Sequence, residues 1–134
     1  MSFEGKIREA VLRASTDPQS LPPFVETFFR ATNAGDLSAL ISVFHEDAFV
    51  NDQLRDIWGI SAIADWARHE IVGLSVRLKV VCWRAQYGSF IVTAHADGRF
   101  DRRGLPDPLE LSLHFIGSND KVGSLIILQN VGTI

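Results

Sequence analysis

Hydrophobic positions change their period along the chain, from one suited to helices in the first half to one suited to strands in the second. Ile7, Ala10, Val11 and Ala14 form a short helical stripe. It ends before Asp17-Pro18, because proline excludes helical backbone from the residue ahead of it. Ser15 to Ser20 reads as a connector. A second helix opens at Pro22-Pro23, where proline costs little because first-turn amides have no helical partner. Its apolar face is Leu21, Phe24, Val25, Phe28 and Phe29, and Gly35 stops it. Asp36 caps a third helix, with Leu37, Leu40, Ile41 and Phe44 spaced i, i+3, i+4 and i+7.

After His45-Glu46-Asp47 the spacing shortens. Ala48 to Asp52 reads as a short strand and polar Gln53 to Asp56 as a turn. Gly59 opens a fourth helix with Ile60, Ile63, Ala64, Ala67 and Ile71 on one face, closed by Gly73. Beyond it the alternation is strict. Leu74, Val76, Leu78 and Val80 interleave with polar residues, as do Leu109 to Phe115, and Phe90, Val92, Ala94 and Ala96 alternate with Ile91, Thr93, His95 and Asp97. Gly104-Leu105-Pro106-Asp107-Pro108 breaks the pattern, and the turn Gly117 to Lys121 leads into a last strand, Val122 to Val131. Helices first and four antiparallel strands last predict an α+β domain, its helices packed on one face of a long sheet. Leu125-Ile126-Ile127-Leu128 is apolar on both strand faces, so the outer one needs a cover. A second copy of the chain is the simplest, which predicts a homodimer through the sheet face.

Composition narrows the setting. A chain of 134 residues fits one domain, 1–134, with 1–20 as an N-terminal helical extension. The net charge of −3 comes without any basic cluster, which argues against nucleic acid as a partner. A lone Cys82 rules out an internal disulfide and suits a reducing compartment. No apolar run approaches the ~20 residues of a membrane span, and the charged N-terminus does not suit a secretory leader. A cytoplasmic protein without membrane attachment is expected.

Two stretches and a helix start, in order along the chain, carry a family resemblance. They are Phe28-Phe29-Arg30-Ala31-Thr32-Asn33-Ala34-Gly35-Asp36-Leu37, then Phe44-His45-Glu46-Asp47-Ala48-Phe49-Val50-Asn51-Asp52, then Gly59 opening a helix ahead of four strands. From Leu21 to Val131 the chain resembles the nuclear transport factor 2-like superfamily, in its SnoaL-like and ketosteroid-isomerase-like branch. The resemblance implies a cone-shaped, cystatin-like roll, in which N-terminal helices pack on a strongly curved, mainly antiparallel sheet. It also implies a pocket at the open end and dimers through the outer sheet face. It does not fix an activity, because one such scaffold hosts many functions.

Asp52 is the leading candidate for chemistry, since it stands where the resemblance places the catalytic base of the isomerases. A carboxylate at the mouth of an apolar pocket can move a proton between two carbons of a ketone, provided donors hold the developing oxyanion. The resemblance puts those donors at Phe28, which has no hydroxyl, and at Ser112. The alternative for Asp52 is a solvated strand-end carboxylate. His114 shares a strand face with Ser112 and Glu110, which would make it a proton-transfer partner for Asp52 if that face points inward. The alternative is a histidine satisfied on the pocket wall or the surface. His95, beside Thr93, is a further candidate contact. Arg55 would grip a ligand carboxylate in two-pronged fashion and Trp58 would close over an apolar body. The plainer reading pairs Arg55 with Asp56 beside a packed indole. Trp66 reads as a core aromatic or a pocket wall.

Other chemistries find less support. Arg99-Phe100-Asp101 resembles the Arg-x-Asp of epoxide hydrolases in this superfamily, but Gln129 and Asn130 stand where a second acid is needed. The late acid of SnoaL-like cyclases is missing from Ile127 to Val131 as well. No paired histidine spacing marks a metal site, and no glycine-rich phosphate loop or G-x-S-x-G elbow appears, so neither metal nor cofactor is expected. Two functions stay open. One is an isomerase, cyclase or dehydratase acting on a small, apolar, oxygen-bearing molecule, with Asp52 as base and His114 or Ser112 as donor. The other is a non-catalytic ligand-binding or dimerisation module.

Overall fold

The structure is a computed structural model and describes residues 21–118 and 120–130. The helical extension and connector expected over residues 1–20 lie outside the described residues.

Helix α1 spans Pro23–Ala34 and buries Val25, Phe28, Phe29, Ala31 and Thr32. Gly35 ends it in a left-handed conformation (φ 66°) that other residues adopt only at a cost, and the Gly35 and Asp36 amides cap the last carbonyls. Helix α2, Leu37–Ser42, starts where the Asp36 carboxylate accepts from the Ala39 amide at 3.1 Å. It stops sooner than the apolar spacing predicts. Phe44 already belongs to strand β1, Phe44–Asp52, and pairs with Val122 there. Ring packing explains the switch, since Phe44 meets Phe28 edge-on at 6.3 Å, and Phe28 in turn meets Phe115 at 5.1 Å.

The expected turn at Gln53 to Asp56 is shorter than predicted. Gln53 and Leu54 alone make it, both at positive φ (55° and 69°), and Arg55–Trp58 forms strand β2. A two-residue hairpin turn of this hand favours Asn-Gly, so Gln-Leu costs about 1 kcal/mol per residue. Tertiary bonds hold it. The Gln53 amide donates to the Ile127 carbonyl at 2.9 Å, and the Leu54 amide donates to Asn51 Oδ1 at 3.1 Å.

Helix α3, Gly59–Trp66, continues over Ala67–Val72 as a wider π-helical turn, and Gly73 stands after it as the sequence suggests. The remaining strands are β3 (Arg77–Gln86), β4 (Ser89–Asp97), β5 (Leu109–Ser118) and β6 (Lys121–Gln129). Leu74 and Val76 therefore precede β3 and do not belong to it. The six strands run in the order β2-β1-β6-β5-β4-β3, antiparallel except for the β1–β6 pair. The alternation along the chain does not foretell this parallel pairing, which sets Asp52 beside Ile127. Register shifts in β1, β3 and β5 bend the sheet around α1. At the far edge, the Asn33 side chain accepts from the Leu78 amide (2.7 Å) and donates to the Leu78 carbonyl (2.9 Å), tying α1 to β3.

Alternation assigns the faces. Leu78, Ala96, Leu109, Leu113, Ile127 and Val50 are buried inward. Their neighbours His95, Ser112, His114, Ile126 and Asn51 take the outer face.

Candidate functional site

The inner face of the sheet does not close on the helices everywhere. Between α1, the π-helical turn and strands β3 to β6 lies a cavity of about 400 Å³. Phe28 and Thr32 line it from α1, Ile71 and Leu74 from the helical end, and Leu111, Leu113 and Ile127 from the sheet. Phe100 and Leu105 contribute from the loop between β4 and β5. The polar exceptions are few, comprising Thr32, Asp52, Gln53, Glu70 and Gln129.

Asp52 reaches the cavity because β1 ends there in register with Ile127, and its side chain is 18% exposed. Trp66 Nε1–H donates to Asp52 Oδ2 at 2.9 Å from α3. Arg55 stands across the turn, its guanidinium 3.6 Å from the same oxygen and 2.5 Å from Glu70 Oε1. That bond to Glu70, with Asp52 nearby, holds the Arg55 guanidinium above its ordinary range despite partial burial. Both anchors use Oδ2, so Oδ1 has no hydrogen-bond partner among the described residues. An anchored carboxylate with one free oxygen can accept a proton or a hydrogen bond from a bound molecule. Arg55 is spent on Glu70 and Asp52, not on Asp56, which instead accepts from Asn51 at 2.7 Å. Two carboxylates against one guanidinium at this end disfavour an anionic ligand, contrary to the expected grip of Arg55 on a carboxylate.

The remaining candidates divide. Phe28, 1% exposed, forms part of the wall, and Trp66 touches the site through its bond to Asp52. Trp58 is 68% exposed and lies against Phe49, ring centres 4.1 Å apart, away from the cavity. Strand β2 carries it there, because Ile57 takes the inward position. His114 and Ser112 alternate with cavity-lining Leu111 and Leu113, so both face the other side of β5. The expected partnership of Asp52 with His114 therefore fails on geometry. Ser112 Oγ donates to Asn130 Oδ1 (2.7 Å), and Asn130 Nδ2 donates to Glu110 Oε2 (2.9 Å). His95 Nε2 lies 3.3 Å from Glu110 Oε1, so these four residues form a chain remote from Asp52. The Asn130 bond first, and then His95, hold the Glu110 carboxyl below its ordinary range. Among the described residues no group of three His, Cys, Asp or Glu is arranged to hold a metal.

Sequence reasoning overlooks Thr32, Glu70 and Gln129 as lining residues. Thr32 is within its reach, one helical turn beyond Phe28 on the buried stripe of α1. Glu70 is not, since its inward aspect depends on the π-helical turn.

No family model matches the sequence, and no curated protein is significantly similar to it. Solved structures match it well. A candidate polyketide cyclase from Sinorhizobium meliloti superimposes with a TM-score of 0.74 at 26% identity, over 83% of this chain and 98% of that one. A second candidate polyketide cyclase, from Pseudomonas putida, gives 0.61 at 19% identity over 82% and 91%. A protein of ketosteroid isomerase-like fold from Catenulispora acidiphila, solved in complex with trimethylamine, gives 0.65 at 17% identity over 81% and 85%. The fold is that of the nuclear transport factor 2-like superfamily, the α+β cone the sequence suggests.

Proposed function

We propose that the cavity binds a small, largely apolar, neutral molecule carrying a carbonyl, and that Asp52 acts on it as general base. The reaction class is proton transfer next to the carbonyl, as in an isomerase, cyclase or dehydratase. The observation behind this reading is the Asp52 carboxylate, held through Oδ2 by the Trp66 indole at the edge of an apolar cavity, with no hydrogen-bond partner for Oδ1 among the described residues. Apolar walls supply binding at roughly 25 cal/mol per Å² removed from water, so a ligand hiding about 200 Å² gains about 5 kcal/mol before its losses of freedom. The proton leaves the carbon next to the carbonyl for Asp52 Oδ1, leaving an enolate. Return of that proton to the same or a conjugated carbon regenerates Asp52. Trp66 keeps the carboxylate in one rotamer throughout, so little reorganisation accompanies the transfer.

The test needs no knowledge of the natural substrate. With 2-tetralone in heavy water, the wild type should speed deuterium incorporation beside the carbonyl, read by mass spectrometry. Asp52→Asn retains an acceptor for the Trp66 indole and should fold and bind as before. Its exchange rate should fall by about 10²- to 10⁴-fold. Equal rates for the two proteins would exclude Asp52 as the base.

The outer sheet face supports a second element of the proposal, a homodimer. Ile116 is 48% exposed there and Val81 is exposed, while Ile91, Ile126 and Leu128 are only half-buried. Apolar side chains in that number on one face gain most by meeting a second copy.

A further inference from the structure

Among the described residues Thr32 is the one buried polar residue, 1% exposed, and none of them bonds its hydroxyl oxygen. A threonine within a helix can satisfy itself by donating to the carbonyl four residues back. Thr32 does not, although Phe28 occupies that position and lines the same cavity. A buried hydroxyl without a partner costs about 1–3 kcal/mol, and valine would fill the same space without that cost. Next to it Asn33 uses both amide atoms on Leu78, so the neighbouring polar group is fully engaged while this one is idle. Asp52 and Glu70 are carboxylates that accept, and the glutamine side chains, which can also donate, belong to the β1–β6 end, where the Gln129 backbone N–H donates to Gln53 Oε1 at 3.1 Å. Thr32 therefore offers a neutral donor from α1, whereas Asp52 stands on β1.

We infer that Thr32 is a ligand-binding residue whose hydroxyl donates to an acceptor oxygen on the occupant of the cavity, selecting carbonyl-bearing molecules over hydrocarbons of the same shape. The inference rests on the cavity being a ligand site and adds a specificity determinant independent of Asp52.

Two probes of equal shape isolate the bond, 2-acetylnaphthalene and 2-isopropenylnaphthalene, which differ only in C=O against C=CH₂. Their dissociation constants are read from quenching of tryptophan fluorescence in the wild type, Thr32→Val and Thr32→Ser. Thr32→Val should weaken the ketone by about 3- to 10-fold and leave the alkene unchanged or tighter. Thr32→Ser, which keeps the hydroxyl, should retain the preference for the ketone. The melting temperature of Thr32→Val should equal or exceed that of the wild type, since no protein partner is lost. Equal effects on both probes, or a lower melting temperature, would overturn the assignment of Thr32 while leaving the pocket reading standing. Failure of both probes to bind the wild type would overturn the pocket reading and this inference together. Persistence of the ketone preference in Asp52→Asn is expected, and its disappearance there would contradict the independence of the two residues.

Discussion

Trp66 fixes where the Asp52 carboxylate can point, because an indole N–H has a single direction of donation and the ring is buried. Trp66→Phe keeps an aromatic ring in the core and removes that donor. Exchange of 2-tetralone should slow by about 10-fold with little change in the concentration giving half-maximal rate, the sign of a positioning residue rather than a binding one. An unchanged rate would show that Asp52 needs no such anchor. Glu110 belongs to the other side of the sheet and to stability. Its carboxyl lies below the ordinary range when folded, so the unfolded chain binds the proton more readily. The resulting stabilisation is present above the ordinary carboxylate range and is lost as pH falls through the depressed one. Both partners are half-exposed and screened, so the effect is small. Glu110→Gln should narrow the fall in melting temperature between about pH 5 and pH 3 relative to the wild type. An identical fall in the two proteins would show that Glu110 contributes nothing to it.

The wide turn over Ala67–Val72 sets the cavity wall, since Glu70 and Ile71 lie on it and Leu74 comes just after. Gly73 closes that turn by donating its backbone N–H to the Arg68 carbonyl at 2.9 Å. A Cβ at this position would stand 2.7 Å from the carbonyl oxygens of both Arg68 and His69, which are backbone and cannot swing aside. Gly73→Ala should cost about 1–3 kcal/mol, seen as a drop of several degrees in melting temperature, and should weaken binding of 2-tetralone as the wall shifts. No change in either would mean that the turn tolerates unwinding. The elements with long, regular patterns are legible in the sequence, namely α1, α3 and strands β4 to β6. Those decided by partners are not. Phe44 fits a helical stripe, yet ring packing against Phe28 and pairing with Val122 make it a strand residue. Arg55–Trp58 has no strand signature, and pairing with β1 is what extends it. His114 shows how a site is misread. The stripe Leu109, Leu111, Leu113, Phe115 already fixes which face of β5 is apolar, and a resemblance that sets Ser112 at a donor position of the pocket conflicts with it.

At the scale of the molecule, the fold sets the Asp52 carboxylate against an apolar cavity on the inner face and leaves on the outer one a row in which isoleucines alternate with polar side chains. The outer row runs across strands, with Ile91, His114, Ile126 and Asn51 in register. Ile126→Asp puts a charge at its centre and should convert a dimer to a monomer in analytical ultracentrifugation while preserving the circular dichroism of the wild type. A wild type that sediments as a monomer at all concentrations would refute the dimer. No helix among the described residues is long and apolar enough to cross a membrane. The cavity is where the functional reading stands or falls. A crystal structure of the protein with 2-tetralone bound measures it directly. The expected result is the ketone inside the cavity with a carbon next to its carbonyl about 3–3.5 Å from Asp52 Oδ1. Density for the ketone only on the outer sheet face, or in the cavity with Asp52 turned away from it, would contradict the proposal.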